Sequence, residues 1–188
     1  GARPGSDFWP GEYQKTYVHA HRSYRGVLDG LRSGRIFAVA GDLIDQLDVD
    51  VSSGGRTAGI GGTLLTAKGQ PATATIRFRD PATKNSRGQN PRVSRIDVIV
   101  GDVRGPVTDR NQDRNDTTRV IARFSEKEWT RQGDVSIITV PLRPIDRNIY
   151  VRVRGTNTGD LEPPMDTPGE DPWSDQWFYS NPIFVAVK

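Results

Sequence analysis

The chain has 188 residues, 34% of them hydrophobic and 26% charged, so it can bury one ordinary core and is neither disordered nor fibrous. Its 20 Gly and 13 Pro, with abundant Val, Ile and Thr, exclude an all-helical bundle and point to many short strands and turns. Lys+Arg 26 against Asp+Glu 23 leaves only +3, and the absence of cysteine excludes a disulfide framework, a thiolate zinc site and a Cys nucleophile.

The cations are mostly arginine and are scattered along the chain, a pattern that argues against a nucleic-acid partner. No run of about 18 apolar residues is present to span a membrane as a helix, and residues 1–30 lack the basic start and apolar core of a signal peptide. The sequence opens at Gly1 without a Met, which suggests a processed or trimmed piece of a longer protein.

Residues 1–22 are polar and turn-rich around Trp9-Pro10-Gly11, with a short strand expected at Thr16 to Ala20. Tyr24, Val27, Leu28 and Leu31 then fall at i, i+3, i+4 and i+7. Ser23 is placed to cap that helix and Gly34 to stop it. Arg35 to Ala40 is a short apolar run, and from Leu43 onward the period is two. Alternation is clearest in Ala72 to Arg79 and recurs in Leu47/Val49/Val51, Ile96/Val98/Val100, Val120/Ala122/Phe124, Val135/Ile137/Thr139, Ile149/Val151/Val153 and Ile183/Val185/Val187. With Gly62 to Ala67 this makes about eight strands, each hiding one face. The predicted fold is mainly β: an Ig-like antiparallel β-sandwich with one N-terminal helix. A composition break near Asp42 divides a helical piece, 1–41, from the sandwich, 42–188. Turn-rich insertions at Asp80 to Pro91, Asp102 to Thr117 and Gly155 to Asn181 are long enough to suggest functional or docked loops.

Four groups of residues could carry chemistry. Asp109, Asn111, Asp113 and Asn115 place oxygen ligands at positions 1, 3, 5 and 7 of an EF-type calcium loop, although Arg114 replaces the glycine of position 6 and Val120 the glutamate of position 12. His19 and His21, two apart on an extended segment, point the same way and could hold a metal with a third ligand such as Asp7 or Glu12. Trp173, Trp177 and Tyr179, beside an acidic Pro-rich loop, could stack on a sugar, or else plug the end of the sandwich. The alternating Arg77/Arg79 and Arg152/Arg154 could bind phosphate but also fit the wet face that any half-buried strand presents.

Two stretches carry a family resemblance. Pro10-Gly11-Glu12-Tyr13-Gln14-Lys15-Thr16-Tyr17-Val18, then Arg22-Ser23-Tyr24 and Val27-Leu28-Asp29-Gly30-Leu31-Arg32-Ser33-Gly34-Arg35, resemble the closing segment of PHP-type metallohydrolases, the polymerase and histidinol phosphatase superfamily. The ending Trp177-Phe178-Tyr179-Ser180-Asn181-Pro182-Ile183-Phe184-Val185 is similar to the C-terminal signature of the branch with an appended β domain. The resemblance implies an upstream catalytic barrel that holds divalent metals (manganese, zinc or iron) to activate water against a phosphoester. Gly5-Ser6-Asp7 is similar to that family's last metal motif, with Phe8 and Trp9 where its histidine is expected.

Read this way, residues 1–41 are the closing loop, helix and strand of the upstream barrel and 42–188 a non-catalytic accessory domain. Such a domain requires no cofactor of its own. Its partner is the upstream domain of the same polypeptide, with a homodimer through residues 24–37 as the other expected contact. The alternatives are a free-standing carbohydrate- or calcium-binding β-sandwich and, third, a small metal hydrolase using Asp7, His19 and His21.

Overall fold

The computed structural model describes residues 8–165 and 171–188. In chain order it contains β1 (Gln14–Val18), α1 (Tyr24–Arg32), β2 (Ile36–Ala40), β3 (Gln46–Ser53), β4 (Arg56–Gly59), β5 (Thr63–Thr66), β6 (Gln70–Arg79), β7 (Arg95–Asp102) and β8 (Arg119–Ser125). A 3-10 turn at Glu126–Glu128 leads to β9 (Thr130–Gln132), β10 (Val135–Ile145), β11 (Ile149–Thr156), β12 (Trp177–Ser180) and β13 (Ile183–Val187).

The strands form two sheets, so the fold is a mainly β sandwich with one α-helix among the described residues. The larger sheet runs β1-β2-β12-β11-β13-β5, with β7 and β8 branching from β11, and the smaller runs β4-β3-β6-β10-β9. Pairing is antiparallel except between β13 and β5, which run parallel. Period-two alternation builds the core. Leu47, Val49 and Val51 of β3, Ala74, Ile76 and Phe78 of β6, and Ile138 and Val140 of β10 meet Phe37, Val39, Ile96, Val98, Val151, Val153 and Phe178 of the opposing sheet.

One expected face is reversed. Over residues 135–142 of β10 the buried residues are Ser136, Ile138, Val140 and Leu142, not Val135, Ile137 and Thr139. The register explains this: Ile138 lies opposite Ile76 and Val140 opposite Ala74, and residues directly opposite in a pair share a face. Three strands lacked an alternating signal. β4 and β9 are short and mostly exposed, and β12 is an aromatic run inside a stretch that reads as loop.

The composition break near Asp42 is not a break in hydrogen bonding. β2 pairs with β12 through Val39↔Phe178, Ala38↔Tyr179 and Phe37↔Ser180, which places β1 and β2 in the larger sheet. The turn after β2 needs left-handed backbone at Gly41 (φ 62°) and Asp42 (φ 56°). A Cβ on Gly41 would lie 2.4 Å from the Gln176 side chain, so this close approach also requires glycine.

Candidate docking surface

The helix forms where the periodicity places it. Ser23 caps it by accepting the Gly26 N–H at 3.0 Å, and Gly34 follows its end at φ 69°. The buried residue of α1 is Gly30, and a Cβ there would lie 2.5 Å from Val18 Cγ1 and 3.1 Å from the His19 carbonyl oxygen. The helix thus sits on β1 through a glycine. Three of its four apolar residues turn outward, with Tyr24 84%, Val27 41% and Leu31 44% exposed, while Leu28 is half-buried. The strip ends before residue 37, because Phe37 is core.

The alternation of β1 and β2 fixes which side of the sheet this is. Tyr17 stacks on Phe37 at 4.8 Å toward the core, so Val18, Ile36 and Ala38 face outward. Ala38 lies opposite Tyr179, Tyr179 opposite Arg154, and Arg154 opposite Asp97. Helix, Ala38, Tyr179 and the outward residues of β11 and β7 therefore share one face.

Part of that face is an ionic lock. Asp97, 1% exposed, receives Arg95 Nε at 2.9 Å, Arg154 Nη2 at 2.9 Å and Nε at 3.0 Å, with Arg123 Nε 3.6 Å away. Arg154 also donates to Glu162 at 2.6 Å and to the Leu161 carbonyl at 2.9 Å, while Arg95 donates to the carbonyls of Gly159 and Asp160. The Arg154 hydrogen bond holds Glu162 below the usual carboxylate range. These bonds tie the segment after β11 down over the sheet. Arg154 is thus a buried, paired residue, contrary to the wet-face reading of its alternation with Arg152. Sequence alternation could mark Asp97 as outward-facing but not that three guanidinium groups from β7, β8 and β11 converge on it.

The ligand-binding candidates lie nearby with their rings occupied. Trp173, 6% exposed, packs edge-on to Phe8 and Tyr13 at 5.7 and 5.0 Å. Trp177, 5% exposed, is stacked with Tyr179 at 6.3 Å and covered by Arg95 and Arg154 at 5.7 and 5.4 Å from its ring centre. Burial pushes the Tyr179 hydroxyl pKa up, and the nearby charges of Arg154 and Arg152 pull it back. A cleft of about 420 Å³ between β8 and the segment after β11 is lined in part by Ser94, Arg95, Arg123 and Ser125. Its hydroxyls are engaged by the protein itself: Ser94 donates to the Thr156 and Thr158 carbonyls and Ser125 to Glu128.

Asp7 lies outside the described residues. His19 places its ring edge-on to Phe37 at 5.7 Å and its Nδ1 3.7 Å from Asp48, while His21 is exposed at the turn before the helix. Among the described residues no group of three or more His, Cys, Asp or Glu is arranged to hold a metal. In the exposed 109–115 loop two candidate calcium ligands close local turns. Asp109 accepts the Asn111 N–H at 2.9 Å, and Asn115 accepts the Thr117 N–H at 3.1 Å and its hydroxyl at 2.7 Å. Asn111 and Asp113 are exposed in the same loop. A scan against protein-family models, a search of curated proteins and a search of solved structures each found no match.

Proposed function

We propose that this chain is the non-catalytic C-terminal β-sandwich accessory domain of a PHP-type metal-dependent phosphoesterase, and that it positions the catalytic barrel by docking α1 against it. The observation that carries this reading is the exposed Tyr24, Val27 and Leu31 on a helix whose one fully buried residue is a glycine. A helix packed into its own domain normally buries its apolar stripe, and an exposed one marks a contact with something else. The same residues lie within the Arg22 to Arg35 stretch that resembles the closing segment of the PHP barrel. Divalent metals and the activated water then belong to the upstream domain, and this chain contributes placement.

The test is to mix the purified chain with the catalytic domain expressed from the coding sequence directly upstream in the same gene. A one-to-one complex, with phosphoesterase turnover from the upstream domain and none from the chain alone, is expected. Turnover by the isolated chain that is lost in His19→Ala or His21→Ala overturns the reading in favour of the small metal hydrolase.

A further inference from the structure

The docking contact has to be larger than the helix. A stable interface covers about 800 Å² on each partner, more than Tyr24, Val27 and Leu31 can provide, so it must extend over the adjoining sheet face. That face runs from Ile36 and Ala38 past Tyr179 to β11, where Arg152 lies opposite Ile99. Arg152 differs from its neighbours. Its Nε is buried without a hydrogen-bond partner, and among the described residues its guanidinium makes no ion pair, whereas Arg95, Arg123 and Arg154 beside it are all engaged with Asp97 or Glu162. Leaving a half-buried cation unpaired is costly, and a carboxylate arriving from outside relieves that cost.

The charge around the helix has the same sign. Arg22, Arg32 and Arg35 are exposed and make no ion pair among the described residues, while the single carboxylate of α1, Asp29, lies 3.8 Å from Arg25. A second copy of the chain is therefore a poor occupant, because a two-fold contact on this face sets like charges against each other.

We infer that the helix face and Arg152 form one docking surface for an acidic protein partner, whose apolar patch covers Tyr24, Val27 and Leu31 and whose carboxylate pairs with the Arg152 guanidinium. This rests on the accessory-domain reading, with the upstream catalytic domain as the partner. Arg152 here is a recognition residue and makes no claim on the chemistry.

The upstream domain is titrated with the wild-type chain, with Leu31→Asp, with Arg152→Gln and with Arg143→Gln, an exposed residue of the other sheet. Leu31→Asp and Arg152→Gln are each expected to weaken binding tenfold or more and Arg143→Gln to leave it unchanged, with wild-type thermal melts as the folding control. Arg152→Lys places an amine at the anchor. Treating that variant's complex with a carbodiimide should give an amide cross-link from position 152 to an Asp or Glu of the partner, located by mass spectrometry. A complex as tight with Leu31→Asp and Arg152→Gln as with wild type overturns this interface and leaves the accessory role standing. Failure to form any complex overturns the accessory reading and the interface with it. Binding to anionic phospholipid vesicles, weakened by the same two substitutions in the absence of a complex, assigns the face to a membrane surface and overturns the protein partner. Should Arg152→Gln fail to fold, Leu31→Asp on the exposed helix decides the matter.

Discussion

Asp97 shares one buried carboxylate among three guanidinium groups, and this residue-scale arrangement fixes the segment after β11 against the sheet. Removing one member of a buried ionic cluster strands the others, at about 3–5 kcal/mol, whereas replacing both partners by apolar side chains of similar volume is much cheaper. Asp97→Ala is therefore expected to destabilise the chain by about 3–5 kcal/mol. Asp97→Leu combined with Arg154→Met should cost clearly less than Asp97→Ala, although Arg95 and Arg123 remain. Urea unfolding midpoints measure both, and a double variant as unstable as the single one would show that the lock acts through packing of the arginine stems. The hydrogen bonds from Arg154 to Glu162 and Leu161 belong to the same unit, so loss of stability should be accompanied by faster proteolysis around residues 159–165.

At the scale of one element, α1 was readable in its limits and in the apolar strip it leaves exposed, but not in the glycine through which it rests on β1. Ser23, the 3.6-residue spacing and Gly34 give its start, body and stop from local chemistry alone. The side it buries depends on what β1 offers, and Val18 leaves room only for a hydrogen at position 30. In an open helix Gly→Ala gains about 1 kcal/mol. Here the new methyl would sit 2.5 Å from Val18 Cγ1, and overpacking of this kind costs about 1–3 kcal/mol. Gly30→Ala is thus expected to lower the thermal midpoint, and Val18→Ala in the same chain should recover part of the loss by removing the blocking methyls. A Gly30→Ala variant more stable than wild type would mean that the helix does not rest on β1 as described.

The same division runs through the strands and the site. Ala72 to Arg79 declares its inward face by strict alternation, and β6 buries the expected residues. Along β10 apolar residues occupy both parities, Val135 and Ile137 as well as Ile138 and Val140, and pairing with β6 rather than composition chooses between them. β12 is hidden for a related reason: Trp177, Phe178 and Tyr179 are all large, the first and last packing outside the sheet and the middle one in the core. Of the docking surface, the apolar stripe of α1 was legible as periodicity. Arg152 was not, because its isolation follows from which neighbours Asp97 and Glu162 engage, and those meet only in the assembled sheet.

For the whole molecule, the question is whether residues 1–41 are an appendage to a sandwich that begins at 42 or a structural part of it. The register favours the second answer. β2 covers the edge of β12 with three paired residues, Phe37 and Val39 lie in the core, and Asn181 donates to the Gly34 carbonyl at 3.1 Å. Removing this segment opens a strand edge beside Phe178, leaves two core positions empty and deprives Gln176 of the Gly41 backbone packed against it. Loss of one large buried aromatic costs about 3–5 kcal/mol, a substantial share of the about 5–15 kcal/mol that holds a domain folded. A chain of residues 42–188 is therefore expected to be largely unfolded or aggregated, without the cooperative thermal transition of the chain 1–188. If residues 42–188 instead melt cooperatively within a few degrees of the full chain, the first two strands are an attachment whose natural pairing lies in another domain. Failure of the truncated chain would mean that α1 is carried on the sandwich's own sheet, so that any catalytic domain meets it as a finished surface.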